Sequence, residues 1–287
     1  NLNGNLDLNF GTEGKVTTAL VNGEIVGTKD IALQPDGKIV AVGYSGNPNT
    51  YVVRYNPNGS LDSSFIDGGK ALISFLSMRS IIVQSDGKIV VAGDKLVGGL
   101  PNFALARLNP DGAIDGSFGS SGVVTTNLGG SSTIWDIVIQ PDGKLVTAGQ
   151  AGSSFALARY NPNGSLDIGF GIGGKILTST NVGGRGLSIQ PDGKLIVAGR
   201  AYATGDFALA RYNSNGTLDT GFGNNGISTT DFFGSTDLAW SLVIQLDGII
   251  VMAGSAGPSL ALARYEGGES VLNQPPIANA GLNQTTN

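Results

Sequence analysis

The chain has 287 residues, 46 of them glycine, with charged residues at 14% and a formal net charge of −5; glycine is about twice and charge about half the ordinary usage of ~7% and ~25%. Histidine and cysteine do not occur, which removes Ser-His-Asp and Cys-His nucleophiles, imidazole or thiolate zinc sites and disulfides. The acidic balance offers no basic footprint for nucleic acid or anionic lipid, and no apolar run approaches the roughly 18 residues a membrane helix needs, so direct membrane insertion is not expected.

In chain order, the first residue is Asn1 with no charged-then-apolar leader, which reads as a processed product or an excised piece. Lys15-Val16-Thr17-Thr18 is a short β-prone run that reads as a spare strand. A repeat then begins. Its first mark is a turn, Gln34-Pro35-Asp36-Gly37, which recurs at Gln84, Gln140, Gln190 and Gln245, the Asp positions lying 50, 56, 50 and 55 residues apart. Each turn is followed by a β-branched run closing on Gly, as in Ile39-Val40-Ala41-Val42-Gly43, and then by a run carrying one Arg: YVVRY, FALARL, FALARY twice and LALARY. In the first four copies a second turn follows, such as Asn161-Pro162-Asn163-Gly164, then Asp167, Phe170 and a Gly that opens a short Val/Thr-rich run. Pro presets the turn, Asp bonds the local backbone, and Gly accepts the positive φ of a hairpin.

Four short strands per copy of about 50 residues are the mark of propeller blades. The expected fold is all-β: a five-bladed β-propeller of four-stranded antiparallel blades, over residues 1–266. Blade one takes its strands from about 30 to 75, blade two from 79 to 127, blade three from 135 to 180, blade four from 185 to 231 and blade five from 238 to 266. Blade five lacks an outer strand, and the N-terminal run supplies it. A charge count agrees: Arg54, Arg107, Arg159 and Arg211 each precede an Asp by eight residues, at Asp62, Asp115, Asp167 and Asp219, whereas Arg264 has no follower and Asp7 no preceding Arg. These are expected to be structural Arg-Asp pairs, with Arg264 and Asp7 meeting when the chain ends meet.

Residues that do not repeat, at one register, are the binding candidates. Lys29-Asp30, Arg79, Trp135-Asp136, Arg185 and Trp240 fall just before the expected inner strands, at the mouth of the axial channel where propeller ligands commonly bind. Aromatic planes beside cations and carboxylates suit a sugar or an anionic glycan. The Asn-rich loops Asn56 to Asp62, Asn161 to Asp167 and Asn213 to Asp219 have oxygens at alternating spacing that calcium uses, although an Asn-Gly turn explains them equally; no other cofactor is expected. The four glutamates Glu13, Glu24, Glu266 and Glu269 lie off the inner strands, so a glycosidase acid and base pair is not expected, nor an enzyme.

The string of L-D-x-x-F-G, Q-P-D-G-K, a β-run ending A-G, and A-L-A-R-Y-N-P-N-G resembles the delta-60 repeat family over residues 1 to about 266. That resemblance implies a propeller of large secreted or surface proteins with no general enzymatic activity. Residues 267–287 read as a linker and the beginning of a domain, since Asn273 to Gly281 resembles the opening strand of a PKD-type immunoglobulin-like domain, a spacer of extracellular proteins. The resulting expectation is an extracellular or cell-surface scaffold or adhesion module whose partners are surface proteins, glycans or other copies of itself joined by N-terminal strand exchange, with a carbohydrate-binding lectin as the alternative.

Overall fold

The computed structural model describes residues 4–20, 26–45, 49–74, 77–178, 182–234 and 236–267. The linker beyond 267, the PKD-like stretch and Glu24 lie outside them. The described chain is almost wholly β. Sheet one holds β1 (Val26–Leu33), β2 (Ile39–Ser45), β3 (Asn49–Tyr55) and β4 (Lys70–Ser74), with the one-turn α1 (Ile66–Gly69) before β4. Sheet two holds β5 (Ser77–Val83), β6 (Ile89–Val97), β7 (Leu100–Leu108) and β8 (Val123–Thr126). Sheet three holds β9 (Ser132–Ile139), β10 (Leu145–Ala151), β11 (Ser154–Tyr160) and β12 (Lys175–Thr178). Sheet four holds β13 (Val182–Ile189), β14 (Leu195–Ala201), β15 (Phe207–Tyr212) and β16 (Ile227–Thr230). Sheet five has β17 (Asp237–Ile244), β18 (Ile250–Ala256) and β19 (Ser259–Tyr265). Each sheet is an antiparallel meander in chain order, so each is one blade.

The turns fold as their residues dictate. In blade one the Gln34 N–H donates to the Lys38 carbonyl, the Gly37 N–H donates to the Gln34 carbonyl, and Gly37 sits at φ +81°, where only glycine is unstrained. Along F-A-L-A-R-Y, side chains alternate between the two faces of the blade. Phe155 and Leu157 pack toward blade four, with Leu187 and Val197, while Ala156, Ala158 and Tyr160 pack toward blade two, with Val90 and Leu105. Four such cores join blades one to two, two to three, three to four and four to five.

The same alternation identifies two bare faces. In β19, Leu260 and Leu262 occupy the positions of Phe155 and Leu157, and they are 97% and 68% exposed. On the opposite end, β1 leaves Ile31 and Leu33 exposed, and no core cluster of the described residues joins blade five to blade one. The fifth sheet has three strands. Residues 4–20 pack instead against blade one: the Gly11 N–H donates to the Asn58 carbonyl at 2.7 Å, Tyr55 Oη donates to Thr18 Oγ1 at 2.8 Å, and Lys70 Nζ reaches the Ala19 carbonyl at 2.8 Å. These are the bonds by which each blade receives the tail of the one before it; Gly119 donates to the Asn163 carbonyl, and Tyr160 to Thr126, in the same way. The N-terminal segment is therefore seated as the end of a preceding blade, with the blade-five edge not brought to it.

Four of the five Arg-Asp pairs form. Arg107 is typical: Nε donates to Asp115 at 2.7 Å, Nη1 donates to the Pro162 carbonyl of the next repeat at 2.5 Å, and the guanidinium lies 4.5 Å from the Phe118 ring centroid. Lys88, from the Q-x-D-G-K turn, adds a second cation 3.0 Å from the Asp115 carboxylate. Arg54 with Asp62, Arg159 with Asp167 and Arg211 with Asp219 repeat the arrangement. Burial opposes the charge of Asp62, but Ser64, Lys38 and Arg54 outweigh it and hold the carboxyl well below the usual range. The fifth pair is not made: Arg264 is 62% exposed and lies 3.9 Å from Asp247, because Asp7 stays with blade one.

Candidate functional site

The inner strands β1, β5, β9, β13 and β17 lie side by side around the axis. Each carries a β-bulge at one register. In β1 the ladder runs Thr28 to Gly43 and then Asp30 to Val42, which makes Lys29 the extra residue of the bulge. By the same count the extra residues are Arg79 in β5, Trp135 in β9, Arg185 in β13 and Trp240 in β17. Bulges re-aim a side chain away from the ladder, and here they single out one non-repeating residue per blade. The sequence expectation put these residues just before the inner strands; they lie within them.

The glycine within each second strand makes the bulge feasible. A Cβ on Gly93, Gly149, Gly199 or Gly254 would lie 1.8–2.0 Å from the carbonyl oxygen of Ser77, Thr133, Gly183 or Leu238, all on the bulged strand. Only a residue without Cβ tolerates that approach.

The bulged side chains stack. The Arg79 guanidinium lies 4.7 Å from the Trp135 ring centroid, and the Arg185 guanidinium lies 4.0 Å from the Trp135 centroid and 4.3 Å from that of Trp240, linking Arg79, Trp135, Arg185 and Trp240. Arg79 is neutralised by Asp94. Arg185 has no carboxylate within ion-pair distance among the described residues. Burial pushes its pKa down, Tyr202 opposes that, and repulsion from Arg79 adds to it. Lys29 is exposed at the blade-one bulge.

Asp30 and Asp136 are turned to a different task. Asp30 accepts from the Ser80 hydroxyl at 2.8 Å and from the Ile81 N–H at 2.9 Å; Asp136 accepts from the Leu187 N–H at 2.8 Å, the Ile137 N–H at 2.8 Å and Ser80 Oγ at 3.2 Å. Each ties its inner strand to the next. Burial raises the Asp136 carboxyl to about 6 against those hydrogen bonds, with nearby Asp30 adding to the rise. Sequence reasoning grouped both with the ligand residues because they adjoin Lys29 and Trp135 in the chain, yet their acceptors face neighbouring backbone.

A second layer was missed. One residue past each bulge glycine, β6, β10 and β14 carry Asp94, Gln150 and Arg200, as variable as the bulged residues. Tyr202 Oη donates to Gln150 at 2.9 Å, and Arg200 lies 5.8 Å from the Tyr202 ring centroid. Trp135 Nε1 and Arg200 Nε are buried N–H donors without a hydrogen-bond partner.

The Asn-rich loops do not converge on a cation. Asn58 Oδ1 accepts from the Ser60 N–H and hydroxyl, and Asn56 Nδ2 donates to Ser60 and Leu61, so the amides close the turn; Asn163 and Asn215 do the same. Three carboxylates, Asp206, Asp231 and Asp237, do come within 4.8 Å of one another where blade four passes into blade five. Asp237 accepts from the Phe232 N–H and Asp231 from the Gly234 N–H, which fold that connection.

Segments 34–65, 84–118, 140–170 and 190–222 match the family model described as "Domain of unknown function (DUF5122) beta-propeller". No curated protein matches the chain. Among solved structures, a protein from Lactobacillus plantarum is 15% identical with a TM-score of 0.54, over 82% of this chain and 70% of that one. A protein of unknown function from Bacteroides caccae is 15% identical with a TM-score of 0.51, over 88% and 82%. At such identity the likeness is one of fold: these are β-propeller repeats. Among the described residues no helix is long and apolar enough to cross a membrane.

Proposed function

We propose that the chain is a non-enzymatic scaffold or adhesion module of a larger extracellular or cell-surface protein or appendage, in which an N-terminal segment completes the fifth blade. One observation carries this: residues 7–18 are already seated on blade one as the tail of a missing neighbour, while β19 presents an unpaired edge and bare Leu260 and Leu262. Transferring the β7 to β8 register, Phe103 to Thr126 and Ala106 to Val123, pairs Leu260 with Thr18 and Ala263 with Lys15. Arg264 then meets Asp7, Phe10 and the Pro57 carbonyl, as Arg107 meets Asp115, Phe118 and Pro162. Exposed edges and apolar faces of this size invite association, and completion removes both. Support for the surface setting is the PKD-like run at residues 273–281.

Light scattering of the full chain and of a chain lacking residues 1–20 tests the reading. A segment that closes its own ring gives a monomer that aggregates on truncation; one donated to a neighbour gives head-to-tail polymers that fall apart on truncation. A truncated chain with the mass and melting temperature of the full chain overturns it.

A second reading, a lectin-like propeller, is favoured by the Arg-Trp stack at the axial bulges. Glycan arrays with Trp135→Ala and Trp240→Ala test it: a specific signal lost in both variants supports it, and no signal from the intact chain counts against it.

A further inference from the structure

We propose that the blade-three to blade-five sector of the axial mouth is a receptor for the carboxylate of an acidic sugar, with Arg185 as the group that grips it. This rests on the second reading above, glycan binding at the bulged residues, and names its ligand class.

The argument begins with charge. Of the cations placed around the inner strands, Arg79 is paired with Asp94. Arg185 and Arg200, both on blade four, have no carboxylate within ion-pair distance among the described residues. The inner-strand acids Asp30 and Asp136 direct their oxygens to Ser80 and to the N–H groups of Ile81, Ile137 and Leu187. Two guanidiniums thus stand without a counter-ion in a half-buried setting, where an unpaired charge is costly and an anion is correspondingly well bound.

Geometry then selects the kind of anion. The Arg185 guanidinium carbon lies over two indoles, 4.0 Å from the Trp135 ring centroid and 4.3 Å from that of Trp240. A guanidinium carries its N–H donors in a planar fork that matches the two oxygens of a carboxylate in a parallel pair of hydrogen bonds. Two further N–H groups of this sector, Trp135 Nε1 and Arg200 Nε, are donors only and have no hydrogen-bond partner among the described residues, so the unused hydrogen-bonding capacity here is for acceptors. Trp240, 52% exposed, adds an indole surface on which a sugar ring can pack.

The chain's two tryptophans, Trp135 and Trp240, are both in the stack, so tryptophan fluorescence, excited selectively over the seven tyrosines, reports this place. The full chain is titrated with D-glucuronate, D-glucose and sodium acetate at constant ionic strength. The expected result is a saturable change with glucuronate, weaker by about tenfold or more with glucose and with acetate, and weakened by at least as much in Arg185→Gln. Arg185→Lys, which keeps the charge without the planar fork, is expected to lose most of the preference for glucuronate over glucose. Should Arg185→Gln not fold, as judged by circular dichroism, Arg185→Lys and Arg200→Gln carry the test. Glucose and glucuronate binding alike overturns the carboxylate assignment and leaves glycan binding standing. A response to neither sugar at up to roughly 50 mM removes both, and a glucuronate response unchanged in the Arg185 variants removes the role of Arg185.

Discussion

Replacing Arg107 by methionine removes the group that gathers one blade, its crossover and the next repeat. Arg107 and Asp115 are 6% and 5% exposed. The substitution takes away the 2.7 Å bond to Asp115, the bond to the Pro162 carbonyl and the contact with Phe118, while Lys88 and the Ser117 hydroxyl remain on the carboxylate. Stripping one partner from a buried pair costs about 3–5 kcal/mol; Lys88 and Ser117, which stay on the carboxylate, bring this case down to about 2, and the lost bond to a carbonyl adds about 1, for about 3 in all. Arg264→Met is the informative comparison. As an exposed group 3.9 Å from Asp247, Arg264 contributes under about 1 kcal/mol, but in a completed fifth blade it occupies the setting of Arg107. Urea unfolding of the full chain is therefore expected to show a loss of ~3 kcal/mol for both variants, and in the chain lacking residues 1–20 a negligible loss for Arg264→Met alone. A full chain in which Arg107→Met costs ~3 kcal/mol and Arg264→Met costs under about 0.5 would refute the completion of blade five by the N-terminal segment.

Gly149→Ala, whose Cβ would meet the Thr133 carbonyl oxygen at 2.0 Å, is expected to lower the thermal midpoint sharply, by several °C for a loss of roughly 2–4 kcal/mol, whereas Gly116→Ala, with nothing within 4 Å of its Cβ, is expected to be near neutral. Two carboxylate classes give opposite slopes in stability against pH. Asp136, raised to about 6, holds its proton more tightly folded than unfolded, so its contribution falls as pH rises from about 4 to about 6, by at most ~3 kcal/mol, and Asp136→Asn is expected to flatten that limb. Asp62 and Asp115, held low when folded, contribute above the unfolded carboxylate range and lose that contribution as pH falls below about 4; Asp115→Asn is expected to remove part of the acid limb in the same urea series.

The turns and the blade count were legible because Pro-Asp-Gly and Asn-Gly act locally, and so were four Arg-Asp pairs, whose eight-residue spacing never varies. Lys88 and its equivalents escaped notice, since the lysine reaches Asp across the whole meander at separations that shift from copy to copy. The inner strands begin two to four residues earlier than expected in blades one to four, at Val26, Ser77, Ser132 and Val182. A bulge resets the two-residue alternation, so that the stretch before Asp30 or Asp136 no longer reads as strand. The reason for the second-strand glycine is also invisible locally, because the carbonyl that excludes a Cβ belongs to the facing strand. Arg264 and Asp7 balance in a count of charges, but a count does not say which sheet Asp7 leans on. Arg200 was missed because its register becomes meaningful only once the glycine before it is known to face a bulge.

A residue that stands outside the ladder answers to no cross-strand partner. At Lys29, Arg79, Trp135, Arg185 and Trp240 the backbone hydrogen bonds close around the extra residue whatever it carries, and the blade's packing is settled by its neighbours on either side. The repeat therefore separates two kinds of inheritance. Duplicating a blade copies the turns, the glycine and the arginine as a working whole, and delivers with them one blank position facing the axis. Five blanks, one per inner strand, form an alphabet that drift can rewrite one letter at a time, changing what the mouth recognises without renegotiating how the blades hold together.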